Sequence, residues 1–155
     1  MRENESNLVP EIKPTVMKHR VPVDQIMSKS LVTLNLTNDL STAESLFKKH
    51  KIRHIPVVSG KKILGMLSYT DLLRISFADA VEDDAESVDT IVYDMFSIEQ
   101  VMTRNVTVIS PDTTIREAAE ILAHHEYHSL PVCEGDELVG IITTTDIIRY
   151  FLSQY

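Results

Sequence analysis

One register governs this chain: residues 23–74 recur as residues 98–149 at a constant offset of 75. Leu64–Leu73 reads LGMLSYTDLL and Val139–Ile148 reads VGIITTTDII. The same offset relates Met27 to Met102, Ala43 to Ala118, Pro56 to Pro131, Gly60 to Gly135, Gly65 to Gly140, Asp71 to Asp146 and Arg74 to Arg149. No insertion or deletion is needed anywhere in the stretch, so the chain is a duplicated unit.

Each copy reads as the same series of elements. A short helical lead-in (Val23–Met27, Ile98–Met102) precedes a β-rich piece, LVTLNL or VTVISP. An amphipathic helix follows, with Leu40, Ala43, Leu46 and Phe47 at helical spacing in copy one. Its counterpart carries Ile115, Ala118, Ala119 and Leu122, with Asp112 as a candidate cap. IPVV, Gly60 and ILGMLS read as a hairpin, repeated by LPVC, Gly135-Asp136 and LVGIIT. A last helix is expected to start near Thr70 or Thr145, each a good N-cap with an Asp in the first turn. The pattern divides the chain into a polar tail (1–20), unit one (21–78), an acidic connector (79–97) and unit two (98–152). The class is α/β in composition and α+β in layout. Ile75–Ser97 holds seven acidic residues (Asp79, Glu82, Asp83, Asp84, Glu86, Asp89, Asp94) and no basic one, and reads as a solvated helical extension.

Bulk chemistry removes several functions. A net charge of −8 opposes non-specific nucleic-acid or membrane-surface binding, although a locally basic pocket remains open. No apolar run reaches the length of a membrane span, and the polar start MRENESNLVPEIKP is no signal peptide. The single Cys133 cannot form an internal disulfide, so a cytoplasmic location is expected. Cys133 itself reads as a small buried hydrophobe. In HHEYH, His124 and His128 stand four apart, but the helix should end between them, and no metal role is assigned. No nucleophile–base–orienter set, Walker-type loop or supported acid pair is present, so catalysis is not expected.

The two ordered sets, QIMSKSLVTL with RHIPVV–GKKILGMLSYTDLLR and QVMTRNVTVI with YHSLPVC–GDELVGIITTTDIIR, resemble a tandem pair of CBS domains, the Bateman module. The resemblance covers about residues 21–152 and implies two small units, each a sheet with flanking helices, packed by their sheets around a pseudo-twofold axis. It further implies two clefts for adenosyl ligands: AMP, ADP, ATP or S-adenosylmethionine. Asp71 and Asp146 repel a phosphate but can accept hydrogen bonds from a ribose diol. Ser68, Thr70, Thr143 and Thr145 offer hydroxyls beside a helix N-terminus, where exposed N–H groups favour a phosphate. Gly65 and Gly140 permit a ligand or a neighbouring backbone to approach closely. Both Thr-Asp pairs also suit a plain helix start.

The resemblance adds Arg53 and His54 as phosphate-side residues before Pro56, with His128 and Ser129 at those positions before Pro131. It also adds Thr33 in the first strand, where copy two has Val108. Arg53 reads equally as a solvated surface charge. Copy one, with Arg53, His54, Thr33 and Ser68 around Asp71, is expected to be the better phosphate cleft, although each cleft can also borrow residues from the opposite copy, which the residue pattern does not sort out. The implied protein is a non-enzymatic regulatory module that signals to a separate effector protein. An interaction or assembly protein with degenerate or divalent-cation-binding clefts is the other reading. A homodimer is expected through the outer helices, which carry LLRISF and IIRYFL, with neither nucleic acid nor membrane as partner.

Overall fold

In the computed structural model, residues 20–78 and 92–155 are described. The N-terminal tail and most of the acidic connector lie outside the described residues. Copy one consists of α1 (Leu40–His50), β1 (His54–Ser59), β2 (Lys62–Ser68) and α2 (Tyr69–Ala78). After α3 (Ile98–Val101), copy two repeats the set as α4 (Ile115–His124), β3 (Ser129–Glu134), β4 (Glu137–Thr143) and α5 (Thr144–Ser153). A 3-10 turn, Val23–Gln25, opens copy one.

The hairpins turn at Gly60 and Gly135, with φ of 61° and 60°, a left-handed conformation that glycine adopts without steric cost. They join edge to edge through Lys62 and Glu137 into one antiparallel sheet of order β1-β2-β4-β3. Exchanging the copies leaves that order unchanged, so the sheet carries the pseudo-twofold relation. Each hairpin shifts register at the equivalent place, between Val57 and Val58 and between Val132 and Cys133.

Two apolar clusters fill the units, and they match position by position at the offset of 75. One holds Leu34, Leu40, Phe47, Ile55, Leu67 and Leu72; the other holds Ile109, Ile115, Leu122, Leu130, Ile142 and Ile147. The lead-in segments are exchanged. Val23 and Met27, from copy one, are buried in the cluster of copy two, while Ile98 is buried in that of copy one. Backbone bonds fasten the exchange: Ser28 N donates to Ile141 O at 2.9 Å, and Met66 and Thr103 bond reciprocally at 2.9 Å. Contiguous repeats therefore build interlocked units.

Gly65 and Gly140 allow this crossing. A β-carbon on Gly65 would lie 2.6 Å from Thr103 O and 2.8 Å from Met102 Sδ; on Gly140 it would strike Met27 Sδ. Of the two approaches open to these glycines, the structure uses the neighbouring chain.

Three local expectations change. The amphipathic helix of copy two is capped by Thr114, not Asp112, in a reciprocal box with Glu117. The last helix of copy two is capped by Thr143, two residues before the position expected, because Asp146 reaches back to its backbone N–H. Ser68 and Asp71 make the same two bonds in copy one. The pieces LVTLNL and VTVISP contribute single parallel bridges, at Leu34 with Val57 and at Ile109 with Val132. After Leu34 the chain turns at once, since Asn35 Oδ1 accepts from Thr37 N at 2.9 Å.

Gly65→Ala is expected to destabilise the protein by about 1–3 kcal/mol, the cost of overpacking against fixed backbone. Gly140→Ala should cost less, because Met27 is a flexible side chain. Urea melts of both variants check this; a Gly65→Ala protein as stable as the wild type would contradict the crossing.

Candidate functional site

Two clefts open along the seam. One, of about 400 Å³, lies at the start of α2 beside Asp71; the other, of about 590 Å³, lies at the start of α5 beside Asp146. A shift of 75 converts one lining into the other: Asn105 replaces Ser30, Glu126 replaces Lys51, His128 replaces Arg53, Pro131 replaces Pro56 and Arg74 replaces Arg149. In each cleft the Asp-bearing helix comes from one copy, and the lead-in and β-hairpin start come from the other.

The carboxylates are held by their own helix starts. Asp146 Oδ2 accepts from Thr143 N and Thr143 Oγ1, each at 2.8 Å, and Asp146 N donates to Thr143 Oγ1 at 3.2 Å. No hydrogen bond or ion pair engages Oδ1 of Asp146 among the described residues. Asp71 Oδ2 accepts from Ser68 N at 3.2 Å, while its Oδ1 faces Arg74 Nη1 at 3.7 Å. These boxes fix the carboxylate rotamers before any ligand arrives.

Most expected positions meet in the clefts. Arg53, His54, Pro56, Thr70, His128, Thr143, Thr145 and Asp146 line one; His54, Ser68, Thr70, Asp71, His128 and Pro131 line the other. Thr33 and Val108 line neither. Both are exposed, beside the inward-facing bridge residues Leu34 and Ile109. Gly65 and Gly140 do not line them either, being covered by the crossing lead-ins.

The expected grouping of Arg53 with Asp71 is corrected by the exchange. Arg53 shares its cleft with Asp146, together with Lys51 and Arg149, whereas Asp71 has Arg74 and Glu126. The cationic cleft is that of Asp146. Lys51, Arg149, Arg74, Glu126 and Tyr127 are lining residues that the residue pattern did not single out. For the two arginines a signal existed, since each stands three residues after its Asp on the same helix face. Lys51 carried none: it ends α1 in a left-handed conformation with φ 52° and ψ 42°.

His54, His128 and Thr70 line both clefts, so they stand where the two cavities meet. Burial holds the His54 imidazole below its usual protonation range, helped by His128 and Arg53 and opposed by Asp71. Away from the clefts, His124 and His125 donate from Nδ1 to the carbonyls of Glu120 and Ile121, each at 2.7 Å. Among the described residues no group of three or more His, Cys, Asp or Glu could hold a metal ion. Cys133 is 4% exposed, and burial pushes its thiol upward.

Two α+β repeats that share one sheet and form two equivalent clefts at a twofold seam define the class of this protein. The CBS domain pattern matches residues 23–78 and 98–153, and the chain belongs to that family. It is 30% identical to an uncharacterised protein of Methanocaldococcus jannaschii over 82% of this chain and 89% of that one. It is 26% identical to the inosine-5′-monophosphate dehydrogenase of Korarchaeum cryptofilum over 80% of this chain, but spans only 23% of that enzyme. The CBS domain pair of protein MJ0100, solved in complex with 5′-methylthioadenosine and S-adenosyl-L-methionine, superposes with a TM-score of 0.74 at 25% identity. That alignment covers 88% of this chain and 100% of the neighbour.

The depressed His54 makes a pH test possible. A buried neutral imidazole binds fewer protons than the unfolded chain, so its stabilisation is complete above the ordinary value of 6.5 and is lost as pH falls through the lower folded value. Wild-type melting temperature should drop as pH falls from 6.5 toward the lower folded value, and His54→Gln should flatten the drop. An unchanged pH slope in the variant would rule out His54 as the group responsible.

Proposed function

We propose that this chain is a non-enzymatic regulatory module that binds an adenine nucleotide or other adenosyl ligand at its seam and passes the bound state to a separate effector protein. The observation that carries this reading is the Asp146 cleft. Its carboxylate keeps one oxygen unengaged and suited to a ribose hydroxyl, in a cleft also lined by Lys51, Arg53 and Arg149, which suit phosphate. The adenosyl ligands of the MJ0100 pair support the ligand class. A second copy of the chain completes the proposal. Ile148, Phe151 and Leu152 on α5 are 52%, 38% and 68% exposed, an apolar face that a homodimer would cover. A cytoplasmic site of action fits the lone buried Cys133 and the absence, among the described residues, of a helix long and apolar enough to cross a membrane.

Mass spectrometry of whatever leaves the purified protein on denaturation tests the ligand class; a recovered adenosyl compound is expected. In calorimetry, Asp146→Ala should weaken AMP binding at least ~10-fold, the value of a hydrogen bond to a charged group. Removing the ribose hydroxyls, as in 2′,3′-dideoxyadenosine monophosphate, should cost a similar factor. Loss of the capping box alone costs about 0.5–2 kcal/mol of stability, so ligand-free melts separate that effect from binding. Equal affinities for AMP and its dideoxy analogue would remove the ribose role.

The assembly has its own test. Light scattering should return a dimer mass, and Ile148→Glu with Leu152→Glu should return a monomer. A wild-type monomer at micromolar concentration would end the dimer proposal.

A further inference from the structure

The clefts are built from equivalent positions and are opposite in charge. Around Asp146 the lining includes Lys51, Arg53 and Arg149, three cations against one carboxylate. Around Asp71 it includes Arg74 against Asp71 and Glu126, one cation against two carboxylates. Two replacements at the offset of 75, Lys51 by Glu126 and Arg53 by His128, account for the difference. Pairing sharpens it. Arg74 lies 3.7 Å from Asp71, whereas Arg149, Arg53 and Lys51 have no ion pair among the described residues. The less basic cleft has an aromatic wall in exchange. Tyr127 replaces Ile52 there, its ring stacked on His125 with centroids 4.8 Å apart and its hydroxyl donating to Thr107 Oγ1 at 2.9 Å.

We infer that the two clefts take different ligands: the Asp146 cleft a nucleoside polyphosphate, and the Asp71 cleft an adenosyl compound without phosphate. The inference rests on the adenosyl reading above and divides it between the sites. A polyphosphate needs the cations that only the first cleft supplies. In the second, Glu126 and Asp71 repel an anion, while Tyr127 offers a face on which a base or a sulfur-bearing adenosyl group can pack. Because His54, His128 and Thr70 touch both cavities, the two ligands would be neighbours.

Calorimetry on the full chain, with ADP and with adenosine as probes, tests this. The wild type is expected to bind one ADP per chain tightly and to accept adenosine at the other cleft with ADP already bound. Lys51→Glu with Arg53→His should weaken ADP at least ~10-fold and leave adenosine unchanged. Glu126→Lys with His128→Arg should create a second ADP site and raise the stoichiometry to two. All four residues are exposed, and unaltered melting temperatures certify folding. Arg149→Gln, beside Arg74→Gln as its counterpart, gives an independent pair in which only the first should weaken ADP. Two equal ADP sites in the wild type, or ADP binding indifferent to the Lys51 and Arg53 changes, would overturn the division and leave the adenosyl reading standing. A wild type that binds neither probe would overturn both.

Discussion

Everything at the seam depends on how closely the chain of one copy passes over a strand of the other. At Gly65 that distance is short enough that a single β-carbon would collide with the carbonyl of Thr103. The crossing segment is hydrogen-bonded in place through Met66 and Thr103, and its twin through Ser28 and Ile141. Each crossing also delivers apolar side chains to a core that is not its own. Val23 and Ile98 are both wholly buried in the opposite unit. Neither half can close its core alone, and the folding unit is the pair. This follows from burial, since a half without its exchanged lead-in would expose apolar surface at roughly 25 cal/mol per Å².

The same crossing makes the clefts. Once Ser28 is bonded to β4, the residues just after it, Ser30 to Val32, lie in front of the start of α5 and wall the Asp146 cavity. Thr103 to Thr107 do the same for Asp71. The site is therefore a consequence of the interlock, and both walls are backed by hydrogen-bonded backbone. The capping boxes finish the preparation: the Asp146 carboxylate accepts two bonds from its helix start, from Thr143 N and Oγ1, and the Asp71 carboxylate accepts one, from Ser68 N. A ligand meeting groups already in position pays little ordering entropy.

Much of this was legible in the residues because it is local. The hairpins announce themselves through Gly60 and Gly135, whose positive φ few other residues adopt cheaply, and the helices through apolar spacing. Caps were legible in principle, since Thr114-x-x-Glu117 is a capping-box pattern, yet Asp112 two residues earlier is an equally good candidate by residue type. Thr145 has the right chemistry for a cap as well, and only the bond between Asp146 and the Thr143 backbone decides for the earlier residue. The partnership of Arg53 with Asp146 was not legible at all. A repeat states which positions are equivalent, and it is silent on whether a residue serves its own copy or the other. That choice is made by the sheet order and the exchanged lead-ins, which are long-range facts.

Comparing the copies with each other sorts positions by the work they do. Several positions at the crossing and the clefts are identical in both copies: Gly65 and Gly140, Met27 and Met102, Pro56 and Pro131, Asp71 and Asp146. In the cores several pairs differ but stay close in volume, as with Leu34 and Ile109, Ile55 and Leu130, or Leu67 and Ile142. Such swaps cost less than about 1.5 kcal/mol each, because packing asks for shape and apolarity rather than identity. On the cleft walls the differences are of another kind. Lys51 against Glu126 reverses a charge, Arg53 against His128 weakens one, and Ile52 against Tyr127 trades an aliphatic side chain for an aromatic one. None of these positions takes part in the backbone bonds that fasten the crossing. The twofold scaffold leaves them unconstrained, so the chain can keep one architecture while its two cavities acquire different chemistry.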